Sequence, residues 1–332
     1  MADSTEKESS PPVAARERGW RRWLRRGVWF AANAVPVVLL LGLLIRLTVK
    51  DVRLGVGLIF YMTPLPILVF GAAACLLWSL IHRWWIRSVA WGVLLVLLVP
   101  WWWAHDWRSN PTPPAASAVE PAPVKVLFWN VARRADLAET LKFIAQVDAD
   151  IVGLVELEGS VEERRKELRA ALPHYDVSVL GSNMYVLAKG PSGETAATEL
   201  DGDSVARQLQ VTIRGQSCQV VLVDIDSGLQ HSRRKAMHAL ADLCLPYSDQ
   251  PVLVMGDFNL PSDSVHYENL RKQFRLLFDV VGNGYAPTWP VPCPVMQLDQ
   301  IWFNSHVVPL ACQHLTSFAS DHRAVSGTVQ LQ

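Results

Sequence analysis

Apolar positions before about residue 107 come in unbroken runs, not periodic faces. Val28–Ile45 is 18 residues without a charge, Leu54–Ile81 is 28 and Ser88–Ala104 is 17. A hydrocarbon core of roughly 30 Å needs about 20 apolar helical residues, so the three runs predict three transmembrane helices. Pro36, Pro64 and Pro66 fall inside them, which membrane helices tolerate when neighbours satisfy the freed backbone groups. From residue 124 the pattern changes to short apolar or alternating segments separated by amphipathic ones. Strands are predicted at Lys125–Trp129, Ile151–Leu157, Asp176–Leu180, Met184–Ala188, Gln208–Ile213, Cys218–Asp224, Pro251–Met255, Leu298–Phe303 and Ala324–Gln330. Helices are predicted at Asp136–Gln146, Ser160–Leu172 and Arg233–Leu245. Strands in series with intervening helices imply an α/β domain, with two packed sheets flanked by helices.

Composition sharpens this division. Eleven of the 14 Trp precede residue 108. Trp84, Trp85 and Trp101, Trp102 and Trp103 bracket the third run, as interfacial aromatics do. Lys+Arg and Asp+Glu are 31 each, but the neutral total hides two opposed parts. Residues 1–123 carry 13 basic and 7 acidic side chains; residues 124–332 carry 18 and 24. Collagen-like, wholly disordered and small disulfide-scaffold classes are excluded. The organisation read from this is a basic tail over 1–27, disordered at Met1–Arg18, then transmembrane helices over 28–106. A Pro-rich linker follows over 107–123, holding a domain of 124–332 a short way off the bilayer. Arg16, Arg18, Arg21, Arg22, Arg25 and Arg26, with His82, Arg83 and Arg87, put the N-terminus inside by the positive-inside rule. Three crossings then put the C-terminal domain outside; a hairpin at Leu54–Ile81 would reverse that.

The informative polar residues stand at strand ends: Asn130, Glu156, Asp257, Asn259, Asp299, Asp321 and His322. Singly, each has an ordinary reading as a turn former, a solvated carboxylate or a satisfied histidine. Together they would converge on one rim, where layered α/β folds carry their chemistry. Hard oxygen ligands without a thiolate suit Mg²⁺ or Mn²⁺.

The ordered set WNV, VELE, GDFN, LDQIW and SDHRAV, with PTW at Pro287–Trp289 and the stretch GSNMYVLAK, resembles the endonuclease/exonuclease/phosphatase superfamily. These are DNase I-like metal-dependent phosphodiesterases, and the resemblance covers nearly all of 124–332. It implies a four-layered α/β sandwich and a hydrolase acting on phosphate esters with Mg²⁺ or Mn²⁺. With helices in front, the chain is similar to bacterial membrane-anchored members, which implies an inner-membrane protein with an extracytoplasmic catalytic domain. The implied roles are Glu156 as principal metal ligand, Asn130 beside metal and phosphate, and Asp321 on the metal side. Asp257 would position or deprotonate the attacking water, and Asn259 would bond the phosphate. His322 would neutralise a phosphoryl oxygen, with Asp299 orienting its ring. Two positions depart from the family pattern. Ala132 stands where an acidic or amide residue is usual. Asp224, in Val223-Asp224-Ile225, replaces a His, which leaves open a second metal ligand, selection of a positively charged substrate, or weakened hydrolysis. His231 is placed in the following loop.

Duplex DNA binding is driven by phosphate neutralisation with Lys and Arg. The domain carries a net −6, and its tight basic runs are two triplets, Arg164-Arg165-Lys166 and Arg233-Arg234-Lys235. Nucleic acid is therefore not the favoured partner; a lipid headgroup phosphodiester, concentrated by the tether, or a small phosphate ester fits better. Two rival readings are a membrane-anchored binding module without turnover, and a transporter or channel. The helices hold few ionisable residues, which argues for an anchor. Cys218, Cys244, Cys293 and Cys312 would allow two disulfides in three connectivities, but read better as buried small side chains.

Overall fold

The computed structural model describes residues 13–110, 122–133, 137–228, 231 and 233–332, with side chains at Trp20, Trp23 and from Arg25 onward. Four helices come first: α1 (Val13–Leu47), α2 (Leu54–Met62), α3 (Leu65–Ile81) and α4 (Trp85–Asp106). The expected tail over 13–27 is thus the first part of α1; its Ala, Arg, Glu and Leu are good helix formers that run on into the apolar segment. Residues 1–12, where the rest of the expected disorder falls, lie outside the described residues. Arg25–Leu47 and Trp85–Asp106 are each long and apolar enough to cross a bilayer. The 28-residue run is not one straight helix: α2 and α3 meet at 63° and together pass the same measure as a bent pair. Proline is the cause. The residue before a proline is pushed out of the helical region, and Thr63 sits at φ −122°, ψ 55° before Pro64. Pro66 then falls in the first turn of α3, where its missing N–H costs nothing.

Leu39, Leu65, Leu68, Val69, Ala72, Cys75, Trp91 and Leu98 pack together as the core of this module. Val28 and Pro36 of α1 line one cavity with Trp84 and Arg87. The basic start of α1 and the α3–α4 turn therefore lie at one end, and the α1–α2 loop and the end of α4 at the other.

The remaining elements are β1 (Trp107–Ser109), β2 (Val124–Asn130), α5 (Ala138–Val147), β3 (Ile151–Val155), α6 (Val161–Ala171), β4 (Asp176–Gly181), β5 (Met184–Ala188), β6 (Ser192–Glu199), β7 (Val205–Ile213), β8 (Gln216–Asp224), α7 (Arg233–Cys244), β9 (Val252–Asp257), β10 (Arg275–Leu276), α8 (Leu277–Val281), β11 (Gly282–Tyr285), β12 (Asp299–Phe303), β13 (Val307–Leu315) and β14 (Ala324–Leu331). One sheet runs β1-β11-β13-β14-β2-β3-β5-β4, the other β10-β12-β9-β8-β7-β6. Their inner faces share one core, with Val126, Phe128, Ile151 and Val186 from the first sheet and Leu209, Val220, Leu222 and Met255 from the second. Ile144, Val147, Leu168 and Leu172 of the α5 and α6 regions cover the outside of the first sheet. Ala236, Met237, Leu240 and Cys244 of α7 recur at helical spacing and cover the second. The result is the four-layered α/β sandwich. Gly256, in the GDFN run, is required by close approach: a Cβ there would stand 2.2 Å from the Val223 carbonyl oxygen.

The predicted strands are all present within a few residues. β6 and β13 were not foreseen, nor were β1, β10 and β11. The boundary at residue 107 is corrected. Trp107–Ser109 pairs antiparallel with β11, and both the backbone N–H and the side chain of Asn110 donate to the Gly282 carbonyl. Residues 111–121 of the expected linker lie outside the described residues. The sandwich is consequently not held off the helices. Arg46 Nη1 lies 2.6 Å from Asp263 Oδ2, and its other nitrogens donate to the Phe60 and Thr63 carbonyls. Lys50 Nζ donates to the Asp263 carbonyl. Asp51 is buried and accepts from Tyr61 Oη, Ser264 Oγ and the Val265 N–H.

Candidate active site

Sheet register assembles the site. Asp257, ending β9, is paired with Asp224, ending β8, and with Asp299, opening β12. Three carboxylates therefore stand in a row along one edge of the smaller sheet. Asn130 ends β2 of the larger sheet, and Glu156 follows β3 beside it. Four non-glycine residues around this rim, Ala132, Arg133, Glu156 and Asn259, have φ between 47° and 58°, the left-handed region that L-residues avoid. Such strain collects at functional sites, where surrounding structure enforces it.

Asp257 lies at the centre and is fully buried. Its Oδ1 accepts from the Asn259 N–H at 2.9 Å and its Oδ2 from Asn130 Nδ2 at 2.9 Å. Asn130 turns its own Oδ1 to the Ala132 N–H. Asn259 Nδ2 donates to the Ile225 carbonyl. The SDH turn is clamped to β2: Ser320 Oγ donates to the Asn130 carbonyl, the His322 N–H donates to Ser320 Oγ, and Trp129 Nε1 donates to the His322 carbonyl. His322 Nδ1 then meets Asp299 at 2.9 and 3.1 Å, with Asp257 Oδ2 at 3.9 Å. Thr288, from the PTW run, fixes this arrangement by accepting the Leu298 and Asp299 N–H groups on its hydroxyl.

Electrostatics follow from this crowding. Burial pushes the Asp257 carboxyl above the usual carboxylate range, and Asp299 adds to that. Burial, then Asp257 and Glu156, push Asp224 up to about 8. Burial alone would lower the His322 imidazole, but Asp299, Asp257 and Asp321 outweigh it and hold its pKa at about 10. His322 is therefore a cation whose Nδ1–H is committed to Asp299, leaving Nε2–H as its second donor.

Tyr61, Glu156, Arg233, Asp257, Asn259 and His322 are among the residues lining a cleft of about 630 Å³, together with Trp289, Met296, Leu298 and Asp321. Of the residues expected from sequence, Glu156, Asp257, Asn259, Asp321 and His322 face this space, while Asn130 and Asp299 lie behind it as buried partners of Asp257 and His322. His231 is outside it, 2.6 Å from Asp226. Sequence reasoning did not find Tyr61, which looks like one more apolar-run residue, or Arg233, which looks like part of a solvated triplet.

The donor set fits a hard divalent cation. Ligand atoms of Asp257, Asp299 and His322 lie within 4.8 Å of one another, although the Asp299–His322 bond already occupies that pair. Asp321 Oδ2 accepts from Trp289 Nε1, but its Oδ1 is buried with no partner. Glu156 extends into the cleft and, among the described residues, has the side chain of Arg133 as counter-charge at 3.2 Å. The described cysteines are all free, so no thiolate centre competes.

Residues 127–322 match the Endonuclease/Exonuclease/phosphatase family. No curated protein matches the chain. Among solved structures, the endonuclease/exonuclease/phosphatase of Bacteroides vulgatus aligns with a TM-score of 0.54 at 17% identity, over 64% of this chain and 100% of that one. Humanized D. rerio TDP2 aligns at 0.54 and 16%, over 63% and 99%. The human Nocturnin catalytic domain, solved with a bound sulfate anion, aligns at 0.51 and 16%, over 68% and 97%. At these identities the likeness is one of fold.

Proposed function

The chain belongs to the endonuclease/exonuclease/phosphatase family, and from that premise we propose that it is a membrane-anchored hydrolase of phosphate esters, dependent on Mg²⁺ or Mn²⁺. The observation that carries this reading is the single cleft onto which Glu156, Asp257, Asn259, Asp321 and His322 open. Glu156 and Asp321 would hold the ion. When bound, it supplies Lewis-acid stabilisation of the phosphoryl oxygens.

The residues divide the remaining work. Asp257, held by Asn130 and the Asn259 N–H, is a general base with its pKa raised towards neutrality, where proton transfer is most efficient. It accepts a proton from water as the water oxygen bonds to phosphorus. The ester P–O bond breaks and the departing oxygen takes its proton from solvent. The His322 cation, oriented by Asp299, donates to a non-bridging oxygen as charge builds there. Asn259, beside Asp257, binds the phosphate.

The helices support an integral-membrane anchor. The basic end of the module carries Arg25, Arg26, Arg83 and Arg87, and the sandwich docks at the opposite end. By the positive-inside rule the anchor would lie in the inner membrane with the catalytic domain outside the cytoplasm. The test is turnover of bis-p-nitrophenyl phosphate by the full chain in nanodiscs with Mg²⁺, Mn²⁺ or EDTA. Metal-dependent release of p-nitrophenol, abolished in Glu156→Ala, is the expected result. Metal-independent or Glu156-independent turnover overturns it.

A further inference from the structure

One wall of the catalytic cleft does not belong to the sandwich. Tyr61 comes from α2, in the apolar module, and lines the cleft alongside the β-strand residues. Leu54, Leu58 and Tyr61 recur on one stripe of α2, at spacings of four and three residues. Leu54, Gly57, Leu58 and Tyr61 line a narrow crevice against His231, Arg233 and His266. Tyr61 and Arg233 are common to the crevice and the cleft, so they form the threshold between them. Leu54 and Leu58 keep 46% and 40% of their surface exposed. In an apolar module this is surface for lipid.

Arg233 has the features of a ligand-binding cation. It is 93% buried, its surface being 7% exposed. Its guanidinium lies 5.0 Å from the Tyr61 ring centroid, and Nη2 donates to the Ser227 carbonyl at 3.0 Å. Its Nε is buried with no hydrogen-bond partner, and buried polar atoms in folded proteins rarely lack one. Among the described residues lining the cleft it is the one Lys or Arg. A single guanidinium suits one phosphate group; a polyanion needs many such contacts. Across the cleft, Trp289, Met296 and Leu298 make an apolar shoulder. The space thus has a polar floor, one guanidinium, an apolar flank and a wall supplied by a lipid-facing helix. That helix is fixed to the sandwich by Arg46, Lys50 and Asp51, so the threshold does not drift relative to the bilayer.

We propose that the cleft takes the phosphate ester of a membrane-resident amphiphile, with Arg233 binding its phosphate and Tyr61 forming the threshold over which it enters from the bilayer. This rests on the hydrolase reading above and adds the substrate class and two specificity residues.

The test uses the full chain in phosphatidylcholine nanodiscs with Mg²⁺ or Mn²⁺ and two probes with one leaving group: p-nitrophenyl hexadecyl phosphate and p-nitrophenyl ethyl phosphate. A single-stranded oligonucleotide is the third arm. The readout is the ratio of kcat/KM for the long-chain and short-chain esters, which cancels changes in the metal site. Partition of the hexadecyl ester into lipid favours it with any anchored enzyme, so the variants decide. Tyr61→Ala should lower the ratio by about tenfold or more, whereas Tyr61→Phe, which keeps the ring, should hold it; Arg233→Gln, which loses a contact to the phosphate both esters share, should lower kcat/KM for both by about tenfold or more at unchanged Mn²⁺ affinity. An unchanged ratio in Tyr61→Ala, unchanged kcat/KM for both esters in Arg233→Gln, or faster turnover of the oligonucleotide overturns the proposal while leaving a hydrolase. No turnover of any probe by the unaltered chain, with a Mn²⁺ titration demonstrating a bound ion, overturns the hydrolase reading and this proposal with it.

Discussion

His322 Nδ1 lies 2.9 Å from Asp299 Oδ2, and this bond determines which ring nitrogen is free for chemistry. Asp299→Asn keeps the volume and removes the charge. By analogy with carboxylate-to-amide changes behind a catalytic histidine, kcat should fall by about 10²–10⁴-fold. The imidazole should also lose its elevated pKa, now about 10. A pKa raised on folding contributes stability below the unfolded value and loses it as pH rises through the folded one. In the variant that loss should be smaller and end at lower pH, which NMR titration of the ring and thermal melts across pH 6–10 would measure.

Glu156 follows strand β3 and is partly exposed, so removing it should leave the fold standing. Glu156→Ala should match wild-type thermal stability in EDTA. It should weaken Mn²⁺ binding by about tenfold or more in calorimetry, as loss of a metal ligand does, and should abolish metal-dependent turnover. Equal Mn²⁺ affinity in the two proteins would remove Glu156 from the metal site.

Asp224 replaces the histidine of the family pattern, and its pKa of about 8 stands above its unfolded value of 3.8. Between these values the folded chain binds the proton more tightly, so stability should decline as pH rises from about 4 to about 8 and level off beyond. In EDTA, the melting temperature of the wild type should be higher at pH 5 than at pH 8.5. Asp224→Asn should narrow that gap. A gap of the same size in the variant would exclude Asp224 as its source.

Those residues were readable because chemistry concentrates at strand ends in short, ordered runs: GDFN, LDQIW and SDHRAV each carry their polar group at a fixed offset from an apolar strand. Other features left no such mark. β13 reads VVPLACQHL, where a proline, a glutamine and a histidine interrupt the alternation, and β6 is an exposed edge strand with the weakly apolar sequence SGETAATE. Asn130 was expected beside the metal, but its contact with Asp257 depends on how two sheets pack, and sequence spacing does not encode that. Tyr61 and Arg233 are 172 positions apart, and neither carries a local signal of the other.

Arg46 and Asp263 form an ion pair with side chains 3% and 15% exposed. Removing one partner of a buried pair costs about 3–5 kcal/mol, less here because Asp263 retains some solvent. Arg46→Met and Asp263→Ala should each lower the melting temperature in nanodiscs and raise hydrogen exchange at Ser264–Tyr267. The double variant should recover part of the loss. Strict additivity of the two would mean that the pair is not coupled.

The docking contacts also set an order of events during synthesis. Arg46 meets Asp263 across 217 positions and Asp51 meets Ser264 across 213, while β1 waits for β11. At about 5–20 residues per second, the helices emerge roughly 10–40 s before their partners exist. For that interval Arg46, Asp51 and a sheet edge stand without these partners. The helical module is therefore among the last parts of the chain to reach its final state, although it is made before the sandwich.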